Sequence, residues 1–330
     1  MNIFARPHQS TAQRMDISLK SAVFVFVTFL WLSVSLAAQE TTKLEDERAA
    51  KQDRAAEVQR GSQTAKGGFQ NEDEIRDKFN KWKSDNDARD WLAAMNYAMP
   101  DVIDVVASKP HGEKADVEVR VKTKTGERLE GISIKLVSNP NGFNQIDKRW
   151  LATYATKWNM PSDVHDALKL FVGETPPSQP SRNPERMFLD EMDFSTQKAV
   201  VDFFSQHRDE IVSDLFKGDG EHAATWMMVT LKDAKSTRNE SGRERRTSEV
   251  NQADAEKSHE KPKWIIRPAT EVVRFYSDGE VKITSAGSLK IGRITMQRKG
   301  GDNGRESAKM LQFKINPAEL FDLCDRPSDK

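Results

Sequence analysis

The sequence predicts an α/β fold, because strand and helix periodicities occupy separate stretches of a chain long enough to bury a full core. Val117, Val119 and Val121 alternate with Asp116, Glu118, Arg120 and Lys122, and Ile132, Ile134 and Leu136 alternate with Ser133, Lys135 and Val137, as in half-buried strands. Ile75, Phe79 and Trp82 recur instead at helical spacing among charges.

Taken in order, Lys20 precedes an apolar run from Ala22 to Ala38, where Ser35-Leu36-Ala37-Ala38 resembles a signal-peptidase site. Residues 1–40 therefore read either as a signal-like segment or as the product of a start codon placed too far upstream, and Met15 suits the first. The run is at the short edge for a spanning helix, so no stable membrane association is expected. From Thr41 the chain is rich in Glu, Lys, Arg, Ala and Gln, which makes 41–60 a charged arm. Asn71 followed by Glu72 and Glu74 predicts a helix start, with the helix reaching Trp91.

Thr125-Gly126-Glu127 supplies a turn between the two alternating runs, and a turn centred on Thr125 and Gly126 would set Asp116 opposite Lys135. Ile146, Trp150, Tyr154 and Trp158 recur every four positions and predict a helix over Asn144–Trp158. Pro176, Pro177, Pro180 and Pro184 mark a loop, after which Gln197–Phe216 reads as one helix. Lys232–Lys261 is almost wholly polar and reads as a disordered charged insertion. Beyond it Trp264–Ile266, Val281–Ile283, Leu289–Met296 and Leu311–Ile315 read as strands.

Composition narrows the function. Hydrophobic residues at 37% and charged residues at 31% lie outside the disordered range, so the chain should fold. The formal net charge of zero means that any contact with nucleic acid must come from a local basic surface. A lone cysteine, Cys324, excludes an intramolecular disulfide and a thiolate zinc cluster and suits a reducing compartment, which favours a cytoplasmic location.

The chemistry centres on Asp116 and on Ser133-Ile134-Lys135. Residues i and i+2 of a strand share a face, so Ser133 and Lys135 can both meet Asp116. A carboxylate beside a lysine suits phosphodiester hydrolysis, in which a hard cation offsets phosphate charge and a water attacks in line. The same pattern also occurs on a merely solvated hairpin face.

From Gly61 to about Asp322 the chain resembles the HinP-type restriction endonucleases of the PD-(D/E)XK nuclease superfamily. The resemblance rests on Thr64-Ala65-Lys66, Gly68-Phe69 and Asn71-Glu72, then on Lys135-Leu136-Val137-Ser138-Asn139 and Gly142-Phe143-Asn144-Gln145-Ile146-Asp147-Lys148. It continues through Gly173-Glu174, Pro176-Pro177, Arg186-Met187-Phe188 and the run Gln297 to Glu306. It implies one domain over 61–330, a central mixed β-sheet flanked by helices, and magnesium-dependent cleavage of double-stranded DNA at a short palindrome, GCGC. A homodimer is left open, and a cognate DNA methyltransferase is expected in the same system.

In that reading Asp116 holds Mg2+ and Lys135 orients the water. Ser133 stands where the superfamily usually carries an acid and the HinP type a glutamine, so Glu72 or Glu118 becomes a candidate helper; for Glu72 a first-turn carboxylate favoured by the helix dipole is the alternative. Two glycine-containing loops are candidates for recognition. In the first, Gln297, Arg298, Lys299, Asp302, Asn303 and Arg305 offer donors for guanine and an acceptor for cytosine N4, with plain phosphate contact as the alternative. In the second, Phe143, Asn144, Gln145 and Lys148 surround an aromatic that either wedges between base pairs or staples the helix that follows. Two rivals stay open: a DNA-binding protein of the same fold with impaired catalysis, suggested by Ser133, and an exported non-specific nuclease, suggested by the Ala22–Ala38 run.

Overall fold

The computed structural model describes residues 66–231, 264–301 and 305–323. The signal-like run, the charged arm, the charged insertion, Asp302, Asn303 and Cys324 lie outside them. The chain divides into two units, Met1–Gln63 and Thr64–Lys330, and the described residues belong to the second. Among these residues no helix is long and apolar enough to cross a membrane.

In chain order the elements are α1 (66–80), α2 (Asn86–Ala94), β1 (Val102–Ser108), β2 (Val117–Thr123), β3 (Gly126–Val137), β4 (Asn144–Arg149), α3 (Leu151–Lys157), α4 (Ser162–Val172), α5 (Phe194–Gln206), α6 (Arg208–Lys217), β5 (Trp226–Leu231), β6 (Trp264–Pro268), α7 (Ala269–Ser277), β7 (Val281–Ile283), β8 (Leu289–Ile291), β9 (Ile294–Arg298) and β10 (Leu311–Ile315). A first sheet has the order β1-β2-β3-β5-β6, and a second the order β4-β10-β9-β8-β7. The first is mixed, because β3 and β5 run parallel while its other neighbours are antiparallel. A parallel pair needs a long crossover, and here β4 and α3 to α6 supply it.

Both faces of the first sheet are covered. Val117, Val119, Val121, Ile132 and Ile134 pack with Phe79, Trp91 and Leu92, while Val137, Met227 and Val229 join a larger core with Tyr154, Phe204 and Phe313. The face of β2 and β3 that the alternation left polar therefore looks toward the helices and the second sheet.

Four expectations need correction. The helix read over Asn71–Trp91 is two helices, since Asp85 caps a new one by accepting from the Ala88 N–H at 3.0 Å. Asn71 and Glu72 lie inside α1, which already runs at residue 66, so neither is in a first turn fixed by Asn71. The helix read over Asn144–Trp158 begins only at Leu151, and Asn144–Arg149 is strand β4, paired with β10. A spacing of four fits two strand repeats as well as about one helical turn, which is why Ile146 and Trp150 misled. The helix read over Gln197–Phe216 breaks at His207 into α5 and α6.

The hairpin register also differs. Thr123 pairs with Gly126 and Val117 with Ile132, so the turn is Lys124-Thr125 and Asp116 adjoins Ser133 and Ile134 instead of standing opposite Lys135. The shift is even, so the side chains keep their faces.

Candidate active site

Asp116 precedes β2, where its N–H donates to the Ile132 carbonyl at 2.9 Å. Its Oδ2 accepts the Ile134 N–H at 2.6 Å and the Ser133 hydroxyl at 3.3 Å, and lies 3.6 Å from Lys135 Nζ. Lys135 Nζ in turn donates to the Ile134 carbonyl at 2.9 Å and to Ser133 Oγ at 3.4 Å. One ammonium thus sits among a carboxylate, a hydroxyl and a main-chain oxygen.

Helix α1 closes on this corner. Asn71 Oδ1 accepts the Thr230 hydroxyl of β5 at 3.1 Å, and Glu72, one residue on, pairs with Lys109 at 3.0 Å. Burial pushes the Glu72 carboxyl above the usual range; the Lys109 bond opposes this, the negative charge of Asp116 adds to it, and Lys135 works against it. Glu72 therefore shares the field of Asp116 and Lys135. Glu118 is committed elsewhere, accepting from His222 Nδ1 at 2.5 Å. That bond, chiefly, holds the His222 imidazole above its ordinary value.

Sequence reasoning missed Lys114, two residues before Asp116. Its half-buried side chain donates through Nζ to the Ile146 carbonyl at 2.9 Å and to Asp147 Oδ2 at 3.2 Å, tying the Asp116 segment to β4. Burial pushes this lysine below its ordinary value, and the positive charge of Lys135 adds to the effect. Asp147 also accepts from Arg149 at 2.7 Å and from the Tyr154 hydroxyl at 2.8 Å. Asp214 gathers Arg149, Lys157 and the Trp158 indole at 3.0, 2.6 and 3.0 Å.

The two recognition candidates separate. Phe143 is 60% exposed in the loop before β4, and because a strand follows it, the helix-staple reading falls. Asn144 donates to the Leu136 carbonyl at 3.2 Å, one residue past Lys135, so this loop adjoins the Asp116 corner. Gln145 is exposed next to it. Gln297 and Arg298 end β9 at the far end of the second sheet, where Gln297 and Lys148 both pair with Gln312 of β10. Along the strands, roughly 16 Å separates the two ends at about 3.3 Å per residue. Arg298 is held in, 13% exposed, with Nε donating to the Ala308 carbonyl at 3.1 Å. Lys299 follows with its N–H on the Met310 carbonyl, and Arg305 is exposed.

A family model described as R.HinP1I restriction endonuclease matches residues 95–241 and 240–321, which include Asp116, Ser133, Lys135, Phe143 and Arg298. The chain belongs to the R.HinP1I restriction endonuclease family. It is thus a type II restriction endonuclease, a site-specific nuclease acting on DNA. Glu72 lies outside the stretch that the R.HinP1I family model matches. The fold is similar to that in a crystal structure of restriction endonuclease MspI in complex with its cognate DNA, with 14% identity, a TM-score of 0.51, and coverage of 78% of this chain and 92% of that one. No curated protein matches the chain.

Proposed function

We propose that this R.HinP1I-family enzyme hydrolyses one phosphodiester bond in each strand of double-stranded DNA at the palindrome GCGC, with Mg2+ bound at Asp116. The observation that carries the reading is the convergence of Asp116, Ser133 and Lys135 on one face, with Nζ 3.6 Å from the carboxylate. Among the described residues no three His, Cys, Asp or Glu side chains group as metal ligands. Magnesium asks less than that, since it keeps several waters and takes one or two carboxylates. Asp116 and the Ile134 carbonyl offer hard oxygens, and the position where Lys135 Nζ now finds three oxygen partners suits a cation. When bound, the ion would offset phosphate charge. Lys135 would orient the attacking water by donating to it, and Glu72 would add negative charge that Ser133 does not supply.

Phe143 serves as the wedge, with Asn144 and Gln145 beside it. Gln297, Arg298, Lys299, Asp302, Asn303 and Arg305, with Lys148, furnish contacts to guanine, cytosine and phosphate. A palindrome repeats its face about a two-fold axis, which favours action as a homodimer. A cytoplasmic location with a methyltransferase of the same specificity completes the reading.

The test is digestion of a plasmid of known sequence by the purified full chain. Cutting confined to GCGC and dependent on added magnesium or manganese is expected. Cutting in excess chelator overturns the metal, binding without cutting favours the impaired protein that Ser133 suggests, and cutting at all sequences favours the non-specific nuclease.

A further inference from the structure

Arg186, in the segment between α4 and α5, has no role above. Its guanidinium lies 4.0 Å over the Phe188 ring and 5.5 Å over the Phe171 ring, and NH1 donates to the Phe171 carbonyl at 3.2 Å. Two aromatic faces and a carbonyl thus fix a planar cation in one orientation. Its neighbour Arg182 pairs with Asp190 and Glu191. Arg186 makes no ion pair among the described residues.

A second cation arrives from β9. Arg298 NH2 is 3.9 Å from Oε2 of Glu185, the residue before Arg186, and that carboxylate is 76% exposed. Burial, and then the charge of Arg298, hold Arg186 below the usual arginine range. The residue before Arg186 is thus the one that Arg298 reaches, and a single solvated acid at the limit of ion-pair range stands between the two basic residues in this segment. Like charges brought together without compensation destabilise a fold, and an oxyanion between them would reverse the sign.

We propose that Arg186 and Arg298 together bind one phosphate of the DNA backbone. The inference rests on the DNA reading above and gives Arg298 a positioning task in place of base reading. It accounts for the commitment of Arg298 Nε to Ala308, which leaves NH2 directed toward Glu185, the residue before Arg186. A contact of this kind fixes register and carries no sequence information.

The full chain, with metal withheld, is titrated against a GCGC duplex and an equally long duplex lacking GCGC, over a range of salt concentrations. Arg186→Met should weaken both by the same factor and lower the slope of log K against log salt by about 1. Arg186→Lys keeps the charge but loses the stacked fork, so its slope should hold while affinity falls. Wild-type affinity and slope in Arg186→Met, a loss confined to the GCGC duplex, or wild-type affinity in Arg186→Lys would each overturn the proposal. Should Arg186→Met fail to fold, the lysine variant decides alone. Wild-type protein that binds neither duplex would remove the DNA reading itself, an outcome distinct from variants that bind like wild type.

Discussion

The Ile134 N–H donates to Asp116 Oδ2 at 2.6 Å, so the carboxylate is anchored by the backbone of the strand that carries Lys135. Asp116 should keep its orientation when the lysine is removed. Lys135→Ala should therefore leave specific binding intact while cleavage falls by roughly 10²–10⁴-fold, the range for losing a group that handles the proton or water. Gel shift and single-turnover cleavage on one GCGC duplex separate the two effects. Loss of binding by Lys135→Ala would take catalysis away from this hairpin.

Ser133→Asp brings a second carboxylate against Asp116, since the hydroxyl it replaces is 3.3 Å from Oδ2. Without a divalent ion the variant should melt earlier than wild type, through like-charge repulsion. With manganese it should recover, and calorimetry should find the ion bound at least about tenfold more tightly. An unchanged affinity would place the ion elsewhere.

The His222–Glu118 bond makes a prediction about pH. A histidine held above its ordinary 6.5 adds stability that is complete below pH 6.5 and is lost as pH rises through its folded value. The NMR midpoint of His222 should exceed 6.5, and Glu118→Gln should bring it down. Melting temperature should fall across the same interval in wild type and less so in Glu118→Gln.

Phe143 is exposed, so Phe143→Ala should change stability by no more than about 0.5 kcal/mol. Its effect should appear on DNA, as loss of the kink and slower cleavage at unchanged metal affinity. Fluorescence of 2-aminopurine at the centre of the site reports the unstacking; an identical signal for both proteins would remove the wedge.

The Asp116 corner was legible because strand alternation is a parity, and parity survives an even register error. Asp116, Ser133 and Lys135 stayed together although the turn lies one residue earlier than Thr125-Gly126 suggested. Spacing misled where two periods coincide, as at Ile146 and Trp150. Lys114 and Arg186 gave no periodic signal at all: the first is defined by a carbonyl on β4, and the second by the ring of Phe171 on α4 together with that of Phe188, its near neighbour in the chain. The order of the strands in the second sheet was equally silent, so nothing in the chain showed that the Phe143 and Gln297 loops leave from opposite ends.

Thr230 of β5 pairs with Trp264 of β6, so the chain departs and returns about 5 Å apart, on adjacent antiparallel strands. Two to five residues are enough to join such a pair. The ends of these two strands therefore define a graft point: by their geometry a short hairpin would join them, or a foreign module would leave and return there, while β5 keeps its parallel pairing with β3. An enzyme built this way offers a port for tethering a second activity beside its own without cutting into the sheet that holds Asp116.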